Sequence, residues 1–589
     1  MDVEKPSDKT QPTHTHTLSV AMSAQVIPAW GLGARREIKC RCEMPMKSKK
    51  DTKGSRAASA AKAKGKGRGK GGKGKAKAAA KASAQGRQGR GRQGQGRRRA
   101  RTTGGTAPLG EARATCAKRM GEMLRWAPRM VQELDDFAMH RLQQIFSAQT
   151  RLTTSYSGIG FFEMTYDCLK DQIAPMASPL EVYSACDNNV DCQAVLLHAT
   201  GPTAAAHVFS DITHTFSQED MARLDLIQKQ FQAQVDMNMN IRGMTRHEAV
   251  REVGSDMLDS MDVVMRKAKL QMTAPCVRCG SECTLKPPPA SSDVLTGNAA
   301  GSVCVEFSSR GKQMGLVGSM VKVWLCWMYQ RLAWIEDEDF IFHECTSTHP
   351  TKFLMERYLD RTHWIWTFVL SPEMFAWPAT RRRRMCIAVS KRFVMRTHSV
   401  PRTPAVLFKI MASDYSHSSI FWCATDAEVG AEPSTLTPAQ HRRLKEFQGW
   451  VEDRRASGEE WVDAFYDVTQ SLAYCKKAKR RIGCLLTKTL WWSHADNRAM
   501  HAREALQVMG LPMLGAVVEE AGWKPPFGNV MDSMTPSTIR RFAGNGLNMP
   551  CVAALLLWCW GHAVDAPPES PWPSGQMAAQ AASRQVATP

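Results

Sequence analysis

The chain has 589 residues, with 78 Lys and Arg against 56 Asp and Glu, a net charge of +22. That length allows a large core and roughly two to four structural units, and 43% hydrophobic residues are too many for a wholly disordered chain. No run of about 18 uncharged apolar residues occurs, so no transmembrane helix and no membrane partner is expected; the longest candidate, Cys551 to Trp560, is too short to span. A basic segment followed by an apolar one is missing from the N-terminus, so no secretory signal is expected. The 18 cysteines are then expected as reduced thiols in a cytosolic or nuclear setting.

The charge is concentrated. Residues 47–101 hold 21 Lys and Arg and one acid, Asp51, a net +20 of the +22. This run lacks aromatics, Leu, Ile and Val, so it cannot bury a face and is expected to be disordered. Its charge density suits a polyanion, because each neutralised phosphate releases counterions. Without aromatics for stacking it is not expected to read sequence. Arg97, Arg98 and Arg99 also suit a nuclear import signal, so the nucleus is the expected location.

Taken in order, residues 1–109 are expected to be disordered around that basic tail. Residues 110–150 read as a helical lead-in, with Met120, Met123, Leu124, Met130, Val131 and Leu134 at helix spacing. From 151 the texture alternates between strands and helices, which predicts an α/β catalytic domain over 151–392. Within it, 217–300 read as an insertion: a Met-rich helical stretch, then a Cys-containing part and a loop over 284–300 around Pro287-Pro288-Pro289. Residues 393–490 are mixed and rich in Trp and Arg. Residues 491–565 carry helix patterns around Arg498–Val508 and Pro550–Trp560. The Pro- and Ala-rich 566–589 are expected to be disordered.

Four clusters carry possible chemistry. Tyr156-Ser157-Gly158-Ile159-Gly160 follows a strand pattern and opens a helix pattern, a turn that lets backbone approach an anionic ligand. Asp187 and Asp211 follow the next two strand patterns, where acids can bind a ribose hydroxyl and an adenine amine; turn-capping is the plainer reading of both. Cys304 ends an apolar run before a Ser/Gly-rich loop and is a candidate nucleophile. Glu344 ends a strand expected beside the one carrying Cys304. Thr380-Arg381-Arg382-Arg383-Arg384 leads into another strand, on which Arg382 and Arg384 share one face and Arg381 and Arg383 the other.

The order of these pieces resembles the DNA (cytosine-5) methyltransferase family, across roughly residues 151–562. Tyr156 to Gly160 matches the family's first motif. Cys304, Phe307, Ser308 and Gly311 keep its P-C-Q-x-F-S-x-x-G loop. Glu344-Cys345-Thr346 stands for its E-N-V, and Thr380, Arg382 and Arg384 for its Q-x-R-x-R. Arg503 to Pro512 is similar to its R-E-x-x-x-L-Q-G-F-P signature, and Ala543 to Pro550 to its final A-G-N-S/A-V-x-x-P motif. Departures are Thr154 for an acid, Phe161 for a third glycine, Val303 for the proline and Val305 for the glutamine beside the nucleophile.

The resemblance implies a Rossmann-like S-adenosylmethionine-dependent methyltransferase with a smaller target-recognition region over 393–490. It implies that Tyr156 stacks on the cofactor's adenine and that Gly158 and Gly160 face its methionine part. Asp187 would take the ribose hydroxyls, with Cys186 as the alternative alignment; Asp211 and Ile212 would bind adenine, and Asn545 would close the pocket. Cys304 would attack C6 of a cytosine flipped out of double-stranded DNA, Glu344 would hold or protonate N3, and Arg384 with Arg382 would orient the base. Two other readings are a catalytically inactive relative that binds DNA, and an RNA cytosine-5 methyltransferase on the same fold.

Cys276-x-x-Cys279-x-x-x-Cys283 in the insertion has a spacing that suits zinc, which takes four ligands. His247 or a distant cysteine would have to be the fourth, so the three are read as reduced loop thiols and no metal is expected. Of Trp422, Trp450, Trp461, Trp491, Trp492 and the basic cluster Lys476-Lys477-Ala478-Lys479-Arg480-Arg481, only the cluster is assigned to DNA; tryptophan is more often core.

Deleting residues 47–101 is expected to weaken DNA binding and flatten its dependence on salt. Affinities measured across a salt series check this; an unchanged slope would refute it.

Overall fold

The computed structural model of the chain describes residues 109–308, 311–396, 400–407, 417–432, 436–459, 464–471, 473 and 480–566. All of them fall in one unit, Arg101–Pro589. The basic run at 47–101, the 567–589 segment, Trp461 and the Lys476-Lys477-Ala478-Lys479 part of the basic cluster lie outside the described residues.

The core is a nine-stranded sheet. Its strands are β1 (Gln149–Ser155), β2 (Leu180–Cys186), β3 (His207–Phe209), β4 (Thr273–Cys276), β5 (Ser281–Thr284), β6 (Val294–Gly301), β7 (Phe340–Thr346), β8 (His363–Leu370) and β9 (Arg383–Ser390). Their order is β5-β4-β3-β2-β1-β6-β7-β9-β8. The run β3-β2-β1-β6-β7 is parallel. β9 is antiparallel to β7 and β8, and β4 is antiparallel to β3 and β5. This is the Rossmann-like α/β class expected from the alternating pattern.

Helices cover both faces, so the central strands are apolar on both sides. In β7 every residue is buried. Phe340 and Phe342 enter one hydrophobic cluster, with Tyr166 and Trp560, while Ile341 enters the other, with Trp324, Trp327 and Met257. The strand's period of two thus divides one sequence between two cores.

One expectation needs correction, and two further segments gain detail. The 284–300 loop is a loop only in its first part: residues 294–301 form β6, between β1 and β7 at the sheet's centre. Its sequence, VLTGNAAG, lacks bulk for a reason. A Cβ on Gly297 would collide with the ring of fully buried Phe340 on β7. Asn298 donates to Thr153 O at 3.0 Å and to Thr153 Oγ1 at 2.9 Å, and accepts from Trp327 Nε1 at 2.8 Å. Small and polar residues here serve close strand packing and a satisfied buried network.

Second, the lead-in is part of the fold. Trp126 Nε1 donates to Gly510 O at 3.3 Å, Arg141 Nε to Ala563 O at 2.5 Å, and Trp523 Nε1 to Leu124 O at 3.2 Å. Third, Pro536–Trp560 is long and apolar enough to meet a membrane-span criterion, yet its most apolar window is 94% buried. It comprises two helices, Pro536–Asn545 and Met549–Trp560, and every residue of the second is buried. It is a core element here.

Two small sheets complete the unit. β10 (Phe393–Met395) pairs with a closing strand, Ala563–Asp565, while Phe465–Asp467, Trp491–Ser493 and Arg498–Ala499 form a three-stranded sheet. The latter packs with Leu444, Phe447 and Val451 into a separate small core. Trp422, Trp491 and Trp492 are buried, and Trp450 stacks on Phe447 at 6.1 Å. The described tryptophans of this region are therefore core.

Gly297→Ala is expected to cost about 2 kcal/mol by overpacking against Phe340. Urea unfolding of the variant and the native chain checks it.

Candidate active site

The parallel strands end along one edge, and that edge collects the candidate residues. Ser155 of β1 pairs with Cys186 of β2 and with Ala300 of β6, and Gly301 pairs with Glu344 of β7. The glycine turn, the Cys304 loop and Glu344 therefore leave adjacent strands side by side. Gly301 is the junction: a Cβ there would lie 3.7 Å from Tyr156 O, 4.0 Å from Glu344 Oε2 and 3.6 Å from Leu547. Leu547 belongs to the last motif, so the two ends of the resemblance meet here.

The glycine turn is shaped by positive φ at Tyr156 (52°), Gly158 (60°) and Gly160 (86°). Gly160 then caps the Phe161–Ile173 helix. A Cβ on Gly158 would meet only open space, whereas one on Gly546 would strike Phe161. The final motif's glycine thus fits because the helix after the first motif comes so close. Asn545, expected to close the pocket, is exposed at the end of its helix.

Both strand-end acids cap turns. Asp187 Oδ2 accepts from Gly158 N at 2.8 Å and Oδ1 from Asn189 N at 2.9 Å. Asp187 thereby fixes the glycine turn, whatever else it binds. Asp211 Oδ1 accepts from Thr213 N and Thr213 Oγ1, both at 2.8 Å. Asp211 and buried Ile212 line a small pocket with Cys186, Thr154, Ser155 and Trp334. Tyr156 lines a second with Ser302, Val303, Phe307, Trp324 and His349. The Tyr156 hydroxyl donates to Val323 O at 2.9 Å, which fixes its ring.

The Cys304 loop leaves β6 as a tight turn. Cys304 O accepts from Phe307 N at 3.1 Å and Ser308 N at 2.9 Å. Buried Glu306 anchors it, accepting from Ser319 Oγ at 3.1 Å. A Cβ on Gly311 would collide with Val305 O, which is why the loop ends on glycine. Val303 and Val305, at the departures from the family pattern, are exposed. Burial pushes the Cys304 thiol up, Arg383 and Arg381 draw it down, and Glu344 opposes them.

The arginine pair is displaced by one position from expectation. Arg383 Nε lies 3.0 Å from Glu344 Oε1. Arg381, fully enclosed, donates to Leu485 O at 2.9 Å, Gly544 O at 3.0 Å and Gly546 O at 2.7 Å. Arg382 is exposed, and Arg384 turns away to donate to Ser347 O at 2.8 Å. The cause is strand parity. Glu344 sits opposite Met385, and Arg383, two residues along, shares that face. Glu344 is buried, which raises its pKa against the pull of Arg383 and Arg381. Its Oε1 makes no hydrogen bond.

Cys484 was not singled out by sequence, because no motif surrounds it. Its Sγ lies 3.7 Å from Arg381 NH1 and 3.6 Å from Arg383 NH2. Burial raises this thiol's pKa, but Arg381 and Arg383 outweigh it and the net shift is downward. Cys276 and Cys283 lie in β4 and β5 rather than in a loop, and the fourth donor beside the three thiols is His207, not His247.

Residues of the first motif fit a cationic cofactor such as S-adenosylmethionine. The Glu163 carboxylate lies against Gly160, 3.9 Å from where a Cβ would be, and its Oε2 is buried without a hydrogen bond. Thr154, which replaces the usual acid, donates to its Oε1 at 2.6 Å. An acid from the following helix thus stands beside position 154.

No protein-family model matches the chain, and no curated protein matches it in sequence. Solved structures similar to it are methyltransferases by description. A DNMT2 mutant of Spodoptera frugiperda is 12% identical, covers 69% of this chain and 98% of its own, and has a TM-score of 0.32. The Entamoeba histolytica methyltransferase EhMeth is 10% identical, covers 70% and 97%, and scores 0.34. The S. pombe Dnmt2 methyltransferase is 12% identical, covers 69% and 97%, and scores 0.29. Superpositions this loose assign no residue a role; the geometry above has to do that.

Burial raises the Glu163 pKa from 4.5 to about 7. A carboxyl with a raised folded pKa binds more protons when folded, so the contribution of Glu163 to stability is greatest below 4.5 and is lost as pH rises through about 7. The loss amounts to about 3 kcal/mol. Urea midpoints at both ends of this window are expected to differ less in Glu163→Gln than in the native chain, because Asp167, Asp339 and Glu338 still titrate there.

Proposed function

We propose that this chain transfers a methyl group to C5 of cytosine in DNA. The observation that carries the reading is the meeting of Cys304, Glu344 and Arg383 at the sheet edge beside the glycine turn. A nucleophile, a protonatable acid and a fixed cation are the groups that an electron-poor ring requires.

In this reading Cys304 gives its proton to solvent and its thiolate Sγ bonds to C6, while Glu344 delivers its proton to N3. The C5=C6 pair shifts to C4=C5 as the C4=N3 pair takes the Glu344 proton, which leaves C5 as a nucleophilic enamine carbon. Burial favours the protonated form of Glu344, and Arg383 holds its carboxyl in place. S-adenosylmethionine, when bound, supplies the methyl group; Gly158, Gly160, Asp187, Asp211, Ile212 and Glu163 are the residues that would hold it. Solvent then takes the C5 proton, the C5–H electron pair re-forms C5=C6 and expels the Cys304 thiolate, and N3 returns its proton to Glu344. The base must leave the stack, because C6 is not reachable inside a duplex. The basic tail would add sequence-independent affinity and import to the nucleus.

Covalent trapping on DNA containing 5-fluorocytosine tests the reading, because a blocked C5 stops the elimination. A stable adduct is expected with the native chain and none with Cys304→Ser. Arg383→Ala is expected to lower transfer about 100-fold, and Arg382→Ala only slightly. An adduct on RNA but not DNA would move the substrate to RNA. Cofactor binding with transfer to neither would indicate an inactive relative.

A further inference from the structure

Outside the candidate active site, one side-chain cluster has a chemistry of its own. His207, Cys276, Cys279 and Cys283 come from three strands and a turn, and their donor atoms all lie within 4.8 Å of one another. His207 Nδ1 is 3.6 Å from Cys279 Sγ and 3.9 Å from Cys276 Sγ. All three cysteines are free thiols.

Geometry identifies what such a group takes. Around tetrahedral zinc, Zn–S of about 2.3 Å and Zn–N of about 2.05 Å put sulfur and nitrogen about 3.6 Å apart. The two measured separations lie within a few tenths of an ångström of that. The cysteines sit on a turn built to converge them: Gly280 N donates to Cys276 O at 2.9 Å, with Gly280 at φ 67°. Val277 N donates to Val208 O at 2.7 Å, which brings the turn against the strand bearing His207. Arg278, in the same turn, donates to Leu196 O at 2.9 Å and Leu197 O at 3.2 Å.

We infer that His207, Cys276, Cys279 and Cys283 form a structural zinc site that clamps the β4–β5 hairpin to the edge of the sheet. The need for a clamp is visible in the pairing. β3 is three residues long and meets β4 at one ladder pair, Phe209 with Cys276. β5 beyond it is largely exposed. Such an edge has little burial to hold it. Four protein ligands close the coordination shell, so the site leaves no position for substrate. Three thiolates and an imidazole select zinc over the harder divalent ions. The clamp also fixes β3, whose far end leads into Asp211 and Ile212.

Elemental analysis of the full chain, purified without chelator, tests this. One zinc per chain is expected. Cys279→Ser and His207→Ala are expected to lose most of it, and His247→Ala to keep it. Cobalt in place of zinc is expected to show thiolate charge-transfer bands and the intense visible bands of a tetrahedral site. His207→Cys is expected to retain metal with stronger charge transfer, so the assignment does not rest on variants that might unfold. Metal-free native chain, stoichiometric iron, or full zinc in Cys279→Ser would each overturn it.

Discussion

Arg381 is the constraint on which the active edge depends. Its guanidinium is enclosed and donates hydrogen bonds to the carbonyls of Leu485, Gly544 and Gly546. A buried cation is costly unless paired and hydrogen-bonded, and removing its partners typically costs about 3–5 kcal/mol. The chain therefore has to bring residues about a hundred and a hundred and sixty positions away to this point. In doing so it sets Gly546 against Phe161 and Leu547 beside Gly301. One charge thus fastens the last motif to the first and adds positive potential beside Cys304.

The same edge combines opposed electrostatic demands. Burial disfavours the ionised forms of both Cys304 and Glu344, while Arg381 and Arg383 favour them. For the acid, burial matches the proposed role, since a carboxyl that protonates easily can give its proton to a ring nitrogen. For the thiol, the arginines match it, since the thiolate is the nucleophile. Burial dominates at both groups and raises both, so Arg383 and Arg381 supply the pull toward the Cys304 thiolate that the proposed role needs.

In the proposed function, capture and chemistry would fall to different parts of the chain. Nearly all the net charge lies in residues 47–101, and the remainder is close to neutral. In the described unit many basic side chains are spent on structure, as Arg331 on Glu338, Arg498 on Glu504 and Arg357 on Asp259 and Asp262. A near-neutral body with a strongly basic tail would, in that reading, separate holding a polyanion from acting on one base.

The sequence by itself determined the α/β class and the strand ends that carry the glycine turn, the acids and Glu344. These follow from local periodicity and from turns whose residue types are set by backbone sterics. Tertiary structure alone decided three things. It made VLTGNAAG a central strand, because Phe340 and Thr153 needed its small and polar residues. It selected Arg381 and Arg383 over Arg382 and Arg384, because parity is fixed by pairing with β7 and an unbroken arginine run carries no signal of register. It brought His207 to three cysteines about seventy residues away. Contacts between strands distant in sequence depend on register and packing, and neither is written in a local pattern.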